Sequence, residues 1–217
     1  MTSTPQARRS VIRPWMVGAL VTVVVIVVAA FNVKVVSLDE AAAEQAAGRF
    51  DPVAFAEENF DSVVVPYVDE NAVDLATLLT SLADGAEESE FGNTSGASSA
   101  YAFPVTFTAV AGELKAPVLP VTVEGVSKDT TVQVQVGPAV SGTALRDVTG
   151  SIDFNDFSNQ LEYQNAAGAL NDQVKAEVLE AFDAAAAKGK TITVTGVFLR
   201  VNPNLVSVVP ISIEVAP

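Results

Sequence analysis

The chain of 217 residues contains no cysteine and no histidine. Without cysteine it can form no disulfide, no thiolate nucleophile and no thiolate metal site. Without histidine it lacks the most common general base and metal ligand, which excludes Ser-His and Cys-His catalytic arrangements. Most hydrolase mechanisms therefore fit the chain poorly, and we expect neither a metal nor another cofactor.

Basic residues are also scarce, because 12 Lys and Arg stand against 26 Asp and Glu, for a net charge of −14. Three of the basic residues, Arg8, Arg9 and Arg13, precede every acidic one. The rest of the chain carries 9 basic and 26 acidic residues, a net charge of −17. A surface of this charge repels polynucleotides, so nucleic acid is not an expected partner.

One long uncharged run lies near the N-terminus, from Pro14 to Val33. As a helix it would span about 30 Å, the thickness of a bilayer's hydrocarbon core. The arginines before it predict a cytoplasmic N-terminus at 1–13, a single-pass transmembrane signal-anchor at 14–36 and an extracytoplasmic remainder. Two alternatives stay open: a signal peptide cleaved near Val28-Ala29-Ala30, and a twin-arginine export signal. A lipid anchor would need a cysteine.

Helical signals follow the predicted anchor. Asp51-Pro52 is typical of a helix start, and Asp74 begins a second apolar helical pattern that ends at Asp84-Gly85. We assign 37–85 to a helical stalk and packing helices. The polar, Gly/Ser-rich residues 86–100 are predicted to be a flexible linker.

From residue 101 the apolar period changes to two, so 101–217 is predicted to be a β domain. Two capped helical stretches interrupt the strands, giving the order β-β-β-α-β-β. The chain is predicted to be an α+β protein, and this order of strands and helix is typical of an OB-like five-stranded antiparallel barrel. An open sheet with helices on one face is the alternative. We expect the helix between strands three and four to plug the barrel. The residues predicted to face one core are Val132, Val134, Phe182, Ile192, Val194, Phe198, Ile211 and Ile213.

Polar and aromatic residues interleave most densely between 137 and 172. Amides and carboxylates pair with sugar hydroxyls, and aromatic faces cover the apolar face of a sugar. The same residue types also cap helices and turns, so a structural role is the alternative. The spacing from Asp153 resembles a calcium loop but fails at Phe157 and Ser158, so no metal site is predicted. The candidate ligand-binding residues are Arg146, Asp147, Asn155, Asp156, Asn159, Gln160, Glu162 and Asn171.

Several segments resemble a bacterial family of predicted periplasmic lipoproteins, known as domain of unknown function 2291. The segments that carry the resemblance are Gly48 to Pro52, AVDLATLL (72–79), GPAVSGTALRD (137–147), FNDFSNQLEY (154–163), ALN (169–171) and GKTITVTGVF (189–198). The resemblance implies an extracytoplasmic companion of a sugar ABC-transport system whose biochemical activity is not established. The chain departs from the lipoprotein pattern because it has no cysteine to lipidate, so a membrane helix would replace the lipid.

Together these observations predict a membrane-anchored extracytoplasmic accessory or binding protein without catalytic activity. Its expected partners are the membrane, through the N-terminal helix, components of a sugar ABC transporter, and a small carbohydrate ligand. One alternative is a glycan-acting hydrolase that uses acids of the 146–162 segment. Another is a purely structural envelope protein.

Overall fold

The computed structural model describes residues 50–96 and 100–216, which belong to one compact unit, Phe50–Pro217. The predicted cytoplasmic tail, the anchor at 14–36 and the stalk up to residue 49 lie outside these residues. Within the two described ranges, no helix has both the length and the apolar character needed to cross a membrane. The anchor and the domain boundaries therefore stay predictions.

The first described elements are helical. Helix α1 (Pro52–Asn59) continues through a π-helical turn (Phe60–Val64) into α2 (Val65–Asn71). The Asp51 side chain caps α1 by accepting from the N–H groups of Val53 (3.0 Å) and Ala54 (3.2 Å), as the sequence predicts. Strand β1 (Val73–Asp74) then pairs with a longer strand, and α3 (Leu75–Ala83) follows.

The segment after α3 includes part of the predicted linker. A 3₁₀ helix (Glu88–Glu90) lies there, and Glu88 forms an ion pair with Arg200. Asn93 makes a backbone bridge to Ala102, with N···O distances of 2.7 and 3.1 Å. These contacts tie the described part of the segment to the sheet.

Five strands close into a barrel: β2 (Ala102–Ala111), β3 (Val118–Val123), β4 (Thr131–Gln135), β5 (Thr191–Leu199) and β6 (Leu205–Val215). Their order around the barrel is β2-β3-β4-β6-β5, and the pairing of β2 with β5 closes it. The predicted five-stranded barrel is confirmed, and the open-sheet alternative is wrong.

The prediction that all strands are antiparallel is also wrong, because β4 and β6 pair in parallel. The reason is geometric. A closed ring with an odd number of strands cannot alternate direction throughout, so at least one neighbouring pair must be parallel. Here the helical crossover between β4 and β5 allows β6 to return beside β4 in the same direction.

The crossover contains α4 (Ala144–Asp147), a 3₁₀ helix (Phe154–Asp156) and α5 (Gln160–Val174), which ends in a π-helical turn (Lys175–Leu179). The second of the two capped helical stretches expected from the sequence would begin at Asn171-Asp172, but α5 runs through these residues without a break. Asn171 is instead buried inside α5, where its Nδ2 donates to the carbonyl oxygen of Gly142 (2.9 Å). A polar side chain that usually caps a helix here bonds to a neighbouring loop.

Two hydrophobic cores divide the apolar residues. The barrel core contains the inward-facing strand residues, including Val132, Val134, Ile192, Val194 and Phe198, with Phe182 and Ile213 packed against it. The helix–barrel core lies between α1, α2, α4 and α5 and the outer side of β5 and β6. Leu170 and Val174 of α5 belong to the helix–barrel core, so α5 covers the outside of the barrel and does not plug it. The residues outside the strands that enter the barrel core include Leu75, Leu78 and Ala187.

A β-bulge explains why Ile211, which the sequence predicts to face the barrel core, lies in the helix–barrel core instead. The register of β5 against β6 shifts between Thr195 and Gly196, which changes the face on which later β6 residues lie. As a result Ile211 joins the helix–barrel core, whereas Ile213 packs against the barrel core. Gly196 is required at this position because an added Cβ would lie 2.3 Å from the Val209 carbonyl oxygen.

Candidate functional site

The GPAVSGTALRD segment (137–147) has an exposed half and a buried half. Its first half forms the loop after β4, where Gly137 and Gly142 adopt φ of +84° and +101°. Gln135 holds this loop through two hydrogen bonds to the Ser141 backbone, accepting from its N–H (2.9 Å) and donating to its carbonyl oxygen (3.2 Å). Its second half is α4, all four of whose residues are buried.

Arg146 and Asp147 form a buried ion pair, with exposed fractions of 5% and 3%. Arg146 Nε and Nη2 each lie 2.8 Å from Asp147 Oδ1, and Nη1 donates to the Tyr163 carbonyl oxygen (3.1 Å). The Thr143 hydroxyl donates to Asp147 Oδ2 (2.6 Å). The charges are therefore paired and largely satisfied within the protein, which joins α4 to the start of α5.

The guanidinium of Arg146 also lies on an aromatic ring, with Cζ 3.5 Å from the centroid of Tyr163. Burial raises the pKa of Tyr163 above its ordinary value, opposed by the nearby Arg146 charge. Ring contacts continue from Tyr163 to Phe157 (5.2 Å between centroids) and from Phe157 to Phe50 (5.1 Å). Three segments that carry the family resemblance thus meet in this cluster.

Four other candidate residues lie in surface turns. Asp153 and Asp156 form a capping box around the 3₁₀ helix, and the Asn155 side chain donates to Asp153 (2.6 Å). Asn159 caps α5 by accepting from the Glu162 N–H (3.0 Å), and Glu162 in turn accepts from the Ser158 N–H (3.0 Å). These hydrogen bonds cap helices and turns, which is the structural role that the sequence left open as the alternative to ligand binding.

The remaining candidates are Gln160 and Asn171. Gln160 is exposed at the first turn of α5. Asn171 is only 4% exposed, and its Oδ1 has no hydrogen-bond partner among the described residues. The structure thus brings Arg146 and Asp147 together, places Asn171 against the neighbouring Gly142, and leaves the other candidates in separate turns. Ligand binding by the predicted set stays a prediction.

A groove of about 270 Å³ lies beside the exposed half of the 137–147 segment. Its floor is the outer side of β4 and β6, and its walls are the 141–144 segment and the loop after β5. No charged side chain lines it. The lining residues are Gln135, Ser141, Gly142, Ala144, Leu199, Val201, Asn202, Leu205, Ser207 and Val209.

This groove could not be predicted from the sequence. The alternation of apolar and polar residues in β4 indicates which face points outward, but it does not predict a groove on that face. The second strand of the floor is β6, which lies beside β4 only because of the parallel pairing. Without that pairing, Gln135 and Ser207 could not be assigned to one surface.

The arrangement suits binding of an uncharged polar molecule. Side-chain amides and hydroxyls can pair with ligand hydroxyls, and the apolar side chains can cover a C–H face. Across the residues that the structure describes, no group of three or more acidic side chains is placed to hold a metal ion.

Comparison with known proteins places the chain in a family. The model of the family described as predicted periplasmic lipoprotein (DUF2291) matches residues 22–214. The chain therefore belongs to this family of predicted periplasmic lipoproteins, which indicates an extracytoplasmic envelope protein. No curated protein matches the sequence.

One solved structure with a similar fold is the crystal structure of an OB-fold protein from Thermotoga maritima, with a TM-score of 0.63 and 21% sequence identity. The match covers 77% of this chain and 99% of the Thermotoga chain. At this identity the likeness supports the OB-type fold of the barrel and carries no information on function.

Proposed function

We propose that this member of the predicted periplasmic lipoprotein family is a membrane-anchored accessory protein that binds a small neutral carbohydrate beside an ABC-type importer. The observation that carries the proposal is the uncharged groove next to the 137–147 segment. Residues 50–217 carry 23 acidic and seven basic side chains, and none of them lines this groove.

The chemistry of the groove favours a polyol over a charged or purely apolar ligand. Asn202 and Ser207 supply an amide and a hydroxyl, and Val201 is 79% exposed beside them. A polyol has hydroxyls for the first two groups and C–H surface for the valine. Ser207 Oγ accepts from Gln133 Nε2 (3.1 Å) and Asn202 Oδ1 accepts from the Asn204 N–H (2.9 Å), so the Ser207 O–H and the Asn202 amide N–H groups remain as donors. A purely apolar ligand would offer these donors no acceptor, which costs affinity.

We further propose that the predicted site residues Arg146, Asp147 and Asn171 act by positioning the groove wall. The ion pair holds α4, and Asn171 bonds to Gly142 within the wall itself. A wall fixed in this way loses little conformational entropy when a ligand binds. The same contacts support binding over glycan hydrolysis, because Asp147 is held by Arg146 and Thr143 rather than facing open space.

The anchor and the transporter belong to the same proposal. The uncharged run within 14–36 would hold the domain at the outer side of the membrane, replacing a lipid that this chain has no cysteine to carry. The importer is proposed from the resemblance of the family to companions of sugar ABC-transport systems. Its test is co-purification of a transporter subunit with the full chain from native membranes.

The ligand is tested by calorimetric titration of the full chain, in detergent, with pentoses, hexoses and polyols. Ser207→Ala removes a hydroxyl from the groove floor without adding bulk, and we expect it to weaken binding about tenfold or more. Ser212→Ala makes the same change on the same strand outside the groove and should leave binding unchanged. Absence of binding by any sugar, or equal binding by both variants, would contradict the proposed site.

A further inference from the structure

A second cleft lies at the barrel end formed by the loops after β3 and β5. It measures about 370 Å³ and is bounded by α3, the 124–130 loop and the 200–204 loop. Its polar lining residues are Thr80, Ser127, Thr130, Arg200 and Asn204. This cleft shares no lining residue with the groove of the proposed function.

Arg200 is held at the wall of this cleft, but not all of its N–H groups are hydrogen-bonded. Its Nη1 forms an ion pair with Glu88, and its backbone N–H donates to the Tyr101 carbonyl oxygen (3.0 Å). Its Nε is buried and has no hydrogen-bond partner among the described residues. A guanidinium has five N–H donors in a planar fork, and the Arg200 side chain is 25% exposed, so contact with Glu88 through Nη1 leaves other N–H groups of the fork for a ligand.

The cleft carries a positive charge although the domain as a whole is acidic. Arg200 is its only charged lining residue, and Glu88 is not part of the lining. Hydroxyls of Ser127 and Thr130 and the amide of Asn204 add further donors. An oxyanion is the partner that satisfies the exposed N–H groups of a guanidinium best.

From these observations we propose that the Arg200 cleft binds the carboxylate group of a small organic acid. A carboxylate is planar and matches the guanidinium fork. It carries a single charge, whereas a phosphate is close to doubly charged at neutral pH and is repelled more strongly by the 23 acidic residues of the domain. The inference does not depend on carbohydrate binding in the groove.

The test is calorimetric titration of the full chain in detergent with gluconate and glucuronate. The uncharged methyl ester of glucuronate is the matched ligand, and glucose 6-phosphate is the phosphate probe. We expect both acids to bind and the ester to bind about tenfold more weakly or not at all. Binding should also weaken as salt is added.

Three variants locate the site. Arg200→Gln should weaken carboxylate binding about tenfold or more. Thr130→Val leaves the ion pair between Arg200 and Glu88 intact and should weaken carboxylate binding by a smaller factor. This variant therefore tests the cleft even if Arg200→Gln does not fold. Lys115→Gln removes the same charge from an exposed loop at the opposite barrel end and should have no effect.

Three results would overturn the inference: no binding of either acid, equal binding of acid and ester, or unchanged binding in both cleft variants. Binding of the phosphate probe without either acid would overturn the carboxylate assignment.

Discussion

Replacing Arg146 by methionine tests whether the buried ion pair holds the groove wall. The substitution keeps an unbranched apolar side chain but removes every N–H donor. Asp147, which is 3% exposed, would then keep only the hydrogen bond from Thr143. The Tyr163 carbonyl oxygen and ring would also lose their contacts with the guanidinium.

Breaking one side of a buried ion pair costs about 3–5 kcal/mol, because the remaining charge stays buried without its partner. Loss of the cation–π contact is part of the same change and adds at most about 1–2 kcal/mol. We therefore expect Arg146→Met to lower the free energy of unfolding by about 4 kcal/mol. For a chain of this size, that corresponds to a decrease in Tm of about 10 °C.

The assay is urea unfolding of the full chain in detergent, followed by far-UV circular dichroism. Lys188→Met is the matched control, because Lys188 pairs with Glu113 at 3.2 Å but both side chains are more than half exposed. It should cost less than about 1 kcal/mol. The double variant with Arg146→Met and Asp147→Leu removes both charges and should recover most of the lost stability.

A cost below about 1 kcal/mol for Arg146→Met, equal to that of the Lys188 control, would refute the positioning role. If the same variant kept its stability but lost its response to sugar, Arg146 would contact the ligand directly.

Three further predictions concern packing, charge and topology. Phe198→Ala removes a fully buried ring stacked on Phe103 and should lower the free energy of unfolding by about 3–5 kcal/mol. Phe182→Ala removes a half-buried ring and should lower it by about 2 kcal/mol. Urea unfolding measures both, and equal losses would contradict the different burial of the two rings. Burial and then the neighbouring carboxyl of Asp61 raise the pKa of Glu177, so the folded state favours its protonated form and the associated stability is lost as the pH rises through that raised pKa. Glu177→Gln should therefore raise Tm at pH 7 and give no gain at about pH 3, below the ordinary carboxyl pKa, and a gain of equal size at both values would exclude the charge explanation. Protease added outside intact spheroplasts should digest the β domain while the N-terminal anchor stays in the membrane, and a protected domain would overturn the predicted topology.

The barrel could be predicted because its strands alternate apolar and polar residues over most of their length. Val132 and Val134 face the barrel core as their period indicates, and Ile192 and Val194 do the same. The position of Ile211 could not be predicted, because a bulge changes the face of a strand without leaving a clear mark in the strand's own composition. Gly196 is the only local sign of that bulge, and glycine has several other uses in strands.

Whether the candidate residues bind a ligand could not be decided from the sequence, for a different physical reason. Asp, Asn and Glu have the same short polar groups whether they cap a turn or bind a ligand, and sequence spacing does not separate these roles. Asp153 and Asn159 cap local structure in this fold. The groove and the Arg200 cleft each combine residues distant in sequence, such as Gln135 with Ser207, so their existence depends on strand order.

The position of β6 between the two cores has a consequence for how the domain unfolds. Because Val208 and Ile213 contact the barrel core whereas Val209 and Ile211 contact the helix–barrel core, one strand completes both apolar interiors. Detachment of β6 would expose both hydrophobic cores at once. The helical layer and the barrel therefore cannot unfold separately by losing this strand. Amide hydrogen exchange across α5, β5 and β6 should accordingly report a single cooperative unit with one opening free energy.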